Sequence, residues 1–101
     1  ALMVPSVFDE PLGMVRIEAL ASGTPLIGLD AGAIPEIITE KNGVLVHKSD
    51  NDSLTIQGLA ESIDSIDRIS RKECREDFEK RFTIERMCRE HAAAYYKLAT
   101  K

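Results

Sequence analysis

An α/β fold, a parallel sheet of about three strands with flanking helices, is predicted by three features of the 101-residue sequence. Short apolar runs alternate with helical patterns in the order strand, helix, strand, helix, strand, helix, which is the grammar of crossover connections in a parallel sheet. The strand candidates are continuous apolar runs rather than alternating ones, as strands covered on both faces must be. A doubly wound domain usually has about five or six strands, so the pattern reads as the C-terminal half of one. The expected unit is a partial domain over residues 1–101, with added C-terminal helices from about residue 68.

Each element follows from its local chemistry. "ALMVPS" reads as the end of a buried strand, its apolar run stopped by Pro5 and Ser6. It has no start methionine or turn before it, so the chain is expected to be a piece of a longer protein. A helix is predicted over residues 11–22, with Pro11 at its first position, Asp9 or Glu10 accepting its free amides, and Gly23 as the left-handed stop. "PLIGL" (25–29) is a short strand, "DAGA" a turn, and "IPEIIT" a short helix opened by Pro35. "KNG" turns the chain into the third strand, "VLVH" (44–47). An amphipathic helix begins after "SDNDS", with Leu54, Ile56, Leu59, Ile63 and Ile66 expected on its apolar side. Two more helices are predicted over 70–81 and 84–98, with Thr83 as the N-cap between them.

Composition narrows the function classes. The chain is 44% hydrophobic and 30% charged, ordinary for a globular protein, and it contains no internal repeat. No run approaches the roughly 20 apolar residues of a membrane span. With 13 Lys+Arg against 17 Asp+Glu, the net charge of -4 offers no cationic field for a polyphosphate backbone, so nucleic acid is not an expected partner. Cys74 and Cys88 fall in helical patterns without a signal peptide, which predicts free thiols in a reducing compartment. The expected location is cytoplasmic, or peripheral to a membrane for the longer protein.

The chemistry concentrates in "VFDEPLGMVRIEALASGTP", residues 7–25, where Glu10 and Glu18 are separated by seven residues. This stretch leaves the carboxyl end of the first strand, where ligands of parallel sheets settle. A helix N-terminus there presents free amides and partial positive charge to an anion such as phosphate. Gly13 lets a ligand approach the backbone without meeting a Cβ. At about 1.5 Å per residue, Glu18 lies about two turns beyond Glu10 and shares a face with Met14 and Pro11, so the two carboxylates suit the length of a nucleotide sugar. The same residues also read as a helix cap and an acid on a solvated face, and spacing alone does not choose between these readings.

"EPLGMVRIEA", from Glu10 through Ala19, resembles the hallmark of the retaining glycosyltransferases of the GT-B type, glycosyltransferase group 1 or family 4. The resemblance continues through "ALASGTPLIGLDAGAIPEII" (19–38) and "NGVLV" (42–46), about 40 contiguous residues. It implies a Rossmann-like parallel sheet, the donor-binding C-terminal half of a GT-B enzyme, and transfer of a sugar from a nucleotide-sugar donor with retention. By the resemblance Glu10 is the catalytic residue, bonding donor-sugar hydroxyls near the reacting carbon, and Glu18 takes the ribose hydroxyls. The amides of Leu12, Gly13, Met14 and Val15 would meet the sugar and diphosphate. Pro11 and Leu12 stand where Gly-Phe is commoner, which removes an amide donor at 11 and alters the pocket wall. The family also draws basic residues from earlier in the domain and its acceptor site from an N-terminal domain, so both are expected outside this chain. No metal or cofactor is implied. An alternative is a nucleotide-sugar-binding epimerase-like or regulatory module on the same fold.

Other residues read as structural. His47 ends a strand and His91 lies on a mixed helix face, neither with a partner at metal-ligand spacing. Gly32, Pro35 and Glu36 read as a turn or as a pocket floor. The run "RISRKECREDFEKR" (68–81) has the charge alternation of a solvated helix and is assigned no ligand. The last helix carries an apolar stripe of Ile84, Met87, Cys88, Tyr95 and Leu98, which calls for a partner: the N-terminal domain of a longer protein, or a second copy of this chain.

Overall fold

The computed structural model describes residues 1–6 and 13–100. Three parallel strands, β1 (Leu2–Val4), β2 (Leu26–Leu29) and β3 (Gly43–Val46), lie in the order β1-β2-β3, so the expected fold class is borne out. The helices are α1 (Met14–Ala21), α2 (Ile34–Ile37), α3 (Asp52–Ser65), α4 (Arg71–Arg81) and α5 (Ile84–Ala99), with a 3-10 turn at Ile66–Arg68.

Successive residues of β2 point to opposite sides of the sheet, and each side has its own core. Leu26 joins Leu20, Ile34, Ile37, Ile38, Ile69 and Cys74 beneath α1, α2 and α4. Ile27 and Leu29 join Val46, with Leu59 of α3 packed against them. Because helices cover both faces, β2 is buried at every position, and its sequence is apolar throughout.

The start of α1 differs from the expected helix over 11–22. Gly13 is the N-cap in the left-handed region (φ 79, ψ 74), so helical geometry begins at Met14 and does not run through residue 13. The expected roles of Asp9, Glu10 and Pro11 at the helix start lie outside the described residues. The far end agrees with expectation. Gly23 has φ 70, its amide donates to Leu20 O at 2.9 Å, and the Thr24 amide donates to Ala19 O at 2.8 Å, closing the helix with paired reverse bonds.

The apolar side of α3 also needs correction. Leu54, Ile56 and Ile63 are exposed, whereas Thr55 and Ser62 are buried and Leu59 and Ile66 are half-buried. Positions 55, 59, 62 and 66 follow the 3.6-residue period, and the three exposed residues fall off that line. The buried hydroxyls are bonded: Thr55 Oγ1 accepts from the Ser49 amide at 3.0 Å, and Ser62 Oγ donates to Leu59 O. Thr83 caps α5 as expected, its hydroxyl accepting from the Arg86 amide at 3.2 Å.

The charged run 68–81 does more than face solvent. Asn42, fully buried, accepts from the Thr39 amide at 2.7 Å and donates to Ile37 O and Asp77 Oδ2, both at 2.8 Å. Arg81 donates to Asp77 and also to Glu36 O and Ile37 O, at 2.9 and 2.8 Å. Together they satisfy the last carbonyls of α2 and tie α4 to the turn that launches β3.

Candidate functional site

The site begins at the carboxyl end of β1. Val4 pairs with Gly28 on the last rung shared by β1 and β2, and α1 rises from Gly13 beside that edge. Gly13 is half-buried, its carbonyl accepts from the Arg16 amide at 3.0 Å, and among the described residues no side chain caps the helix. A helix N-terminus is where backbone amides can meet an anion.

Among the expected site residues, Met14 and Val15 form the first helical positions and are 58% and 51% exposed. Glu18 is exposed, and no described residue pairs with its carboxylate. Because helical geometry begins at Met14, Glu18 lies little over one turn from the helix start, roughly 6 Å along the axis. Met14 and Glu18 share a face, as the spacing requires. Gly13, Met14, Val15 and Glu18 thus occupy the N-cap and the first, second and fifth positions of one short helix. Glu10 and Leu12 lie outside the described residues.

Met14 has a second neighbourhood. With Ile17 it lines an apolar cleft of about 360 Å³ whose other wall is Phe82, Ile84 and Met87 at the α4–α5 junction. His91 also borders this cleft, its Nδ1 2.8 Å from Met87 O and its ring edge-on to Tyr95. Of the residues read as turn or pocket floor, Gly32 adopts φ 54 and Glu36 lends its carbonyl to Arg81, so both have structural work.

Arg16 was not singled out from the sequence, yet it is the largest charged group in the core, 1% exposed. Its Nη2 lies 3.4 Å from Val4 O, at the carboxyl end of β1. A signal for it exists. Arg16, Ile17 and Leu20 make up the inward stripe of α1, so a cation interrupts an apolar face at helical spacing. Neither cysteine is placed for nucleophilic chemistry. Cys74 is buried, and burial, with nearby Asp77, pushes its thiol above the ordinary range, while Cys88 is exposed and both are free. No helix among the described residues is long and apolar enough to cross a membrane.

A family model described as glycosyl transferases group 1 matches residues 1–81. Over 64 residues the chain is 42% identical to alpha-maltose-1-phosphate synthase of Mycolicibacterium smegmatis, covering 61% of this chain and 16% of that protein. Spore coat protein SA of Bacillus subtilis is 32% identical over 95 residues, covering 91% of this chain and 25% of the relative. An uncharacterized glycosyltransferase of Methanocaldococcus jannaschii is 43% identical over 54 residues, covering 52% of this chain and 14% of its own length. The chain therefore spans a quarter or less of each of these relatives.

Proposed function

The chain belongs to the glycosyl transferases group 1 family, and from that premise we propose that it forms the donor-binding part of a glycosyltransferase that moves a sugar from a nucleotide-sugar donor to an acceptor with retention. The observation that carries this reading is the glycine N-terminus of α1 at the carboxyl end of the sheet, where Gly13 adopts φ 79 and Glu18 projects without a described partner on the same short helix. The amides at Gly13, Met14 and Val15 meet the diphosphate, where the helix N-terminus favours negative charge. Glu18 accepts the ribose hydroxyls, and Glu10 bonds the donor sugar beside the reacting carbon. Leu12 completes the wall of the sugar pocket.

The reading extends to partners and place. An N-terminal domain supplies the acceptor site and meets the apolar face of α5; without it, a second copy of the chain takes that face. Two free cysteines accord with a reducing compartment such as the cytoplasm.

The test uses the full-length protein that carries this chain. It is offered UDP-, GDP- and ADP-sugars with a panel of sugar and sugar-phosphate acceptors, and the anomeric configuration of any product is read by NMR. Transfer with the donor's configuration preserved is expected. Failure to bind or consume any nucleotide sugar overturns the reading, and an inverted product removes its retaining part.

A further inference from the structure

We propose that the free edge of β3 docks an extended segment of a partner protein, a strand whose side chains alternate basic and apolar, with the basic ones turned toward α3.

The peptide groups of β3 are only half used. The Leu26 amide donates to Asn42 O and the Asp30 amide to Val46 O, both at 3.0 Å, so Asn42, Val44 and Val46 turn their peptide groups toward β2. Gly43, Leu45 and His47 therefore turn theirs away. The Gly43 amide is taken by Thr39 O at 3.1 Å, which leaves Gly43 O, both backbone groups of Leu45 and the His47 amide on the outer edge. Among the described residues no further strand pairs there. Edge strands are commonly blunted by proline, lysine or a covering loop, whereas β3 reads GVLV and its Leu45 is 38% exposed.

The chain itself approaches and leaves on the other side. Ala1 precedes β1, at the opposite edge of the sheet, and after α3 the chain returns to pack α4 and the start of α5 against α1. The edge of β3 is thus the one turned away from both ends of the chain.

Two hollows flank this edge, one on each face. Val44, Val46, Gly58, Glu61, Ser62 and Ser65 border one of about 430 Å³ on the α3 face. Position 58 admits α3 this close to the strand, since a Cβ there would stand 2.8 Å from Val46 Cγ1. On the other face, Ile38, Glu40, Leu45 and Arg68 border one of about 370 Å³. A strand added to an edge sends alternate side chains to opposite faces, so each hollow takes every second residue.

The two hollows ask for different side chains. Glu61 accepts from Gln57 Nε2 at 3.1 Å and has no ion pair among the described residues. A Lys or Arg in its hollow lays its stem on Val44 and Val46 and brings its cation to Glu61. In the other hollow the charges of Glu40 and Arg68 offset each other, and Ile38 and Leu45 present apolar surface, so an apolar side chain fits. A second copy of the chain is the poorer occupant, because a two-fold axis at Leu45 sets the Glu61 flanks of two α3 helices side by side.

The experiment measures, by fluorescence anisotropy, binding of short labelled peptides that alternate Lys with Val, or Glu with Val, to the full-length protein. The Lys/Val peptide should bind about tenfold tighter or more. Leu45→Pro removes only an outward amide, which edge strands tolerate, and should weaken that peptide by about tenfold, with circular dichroism and melting confirming the fold. Glu61→Lys should abolish the preference for the basic peptide. Glu76→Lys, the same charge change on the exposed side of α4, should keep it. Equal binding of both peptides, binding of neither, or wild-type affinity in folded Leu45→Pro overturns the proposal. Equal losses in Glu61→Lys and Glu76→Lys also overturn it, as a general charge effect. A dimer that Leu45→Pro dissolves and the Lys/Val peptide does not gives the edge to a second copy instead. If Leu45→Pro fails to fold, the comparison of Glu61→Lys with Glu76→Lys decides the matter.

Discussion

Three carboxylates separate the proposed function from stability. Glu18 is exposed and unpaired among the described residues, so its removal tests the ligand rather than the fold. In the full-length protein, Glu18→Ala should raise the donor KM, since a charged hydrogen bond is worth roughly 1.5 to 3 kcal/mol. Glu10→Ala should depress kcat more than binding, because contacts made near the reacting carbon strengthen in the transition state. Steady-state kinetics on both variants decide the assignment, and unchanged kinetics would remove it. Asp77 belongs to the other class. Burial by itself would raise its carboxyl, but hydrogen bonds from Arg81 and Asn42, with the Arg81 charge, outweigh that and hold it below its ordinary value. A carboxylate depressed in the folded state stabilises fully above its unfolded value and loses that contribution as pH falls through the folded one. Stability should therefore drop as pH falls from about 5 through 4 and below, and Asp77→Asn should flatten that dependence in urea titrations at a series of pH values. An unchanged acid limb in the variant would contradict the role given to Asp77.

At the scale of elements, α1 is a short helix whose two ends are set by glycines. Gly23 adopts φ 70, and a Cβ there would stand 3.1 Å from Arg71 O, the first residue of α4. The residue thus closes α1 and admits α4 to the same corner. Gly23→Ala should destabilise the chain by about 1 to 2 kcal/mol through left-handed strain, plus whatever shift α4 must make. Chemical denaturation measures this directly, and a change below about 0.5 kcal/mol, the ordinary range of surface substitutions, would refute it. The same corner is braced by Arg75, whose Nη1 donates to Ala21 O at 2.7 Å. Elements that carry the candidate site are therefore held from behind by the helix whose sequence reads as merely solvated.

At the scale of the whole molecule, the chain is elongated, 53 × 31 × 18 Å, with a radius of gyration of 15.7 Å against about 13 Å for a compact domain of this length. The last helix accounts for much of the character of its surface: α5 has no buried residue, and Ile84, Met87, Tyr95, Tyr96 and Leu98 are all exposed. Exposed apolar stripes of this kind favour association. The isolated chain is expected to self-associate through α5, through the outer edge of β1, or through both, with a two-fold symmetric dimer as the first form. Light scattering across a concentration series tests this, and a monomer throughout, with α5 ordered, would overturn it. Replacing Ile84 and Met87 by Lys should shift the equilibrium toward monomer if α5 carries the contact.

What the sequence determined by itself was local. Apolar runs bounded by glycine and proline located the three strands, the left-handed stop at Gly23 ended α1, and Thr83 started α5, because each depends on the chemistry of a few adjacent residues. The stretch from Glu10 to Val46 pointed to the family for the same reason, as a contiguous pattern. Tertiary structure decided what adjacency does not encode. Leu54, Ile56 and Ile63 went to solvent because α3 docks on β3 along the line of Thr55, Leu59 and Ile66, a choice that depends on where the sheet lies. Asn42, Asp77 and Arg81 met across 35 and more residues of chain to close α2. Arg16 became a buried cation only because α1 lies across the last rung of β1 and β2, at Gly28, where an absent side chain leaves space. Patterns along the chain report which residues prefer an element, while burial and charge environment depend on which elements meet.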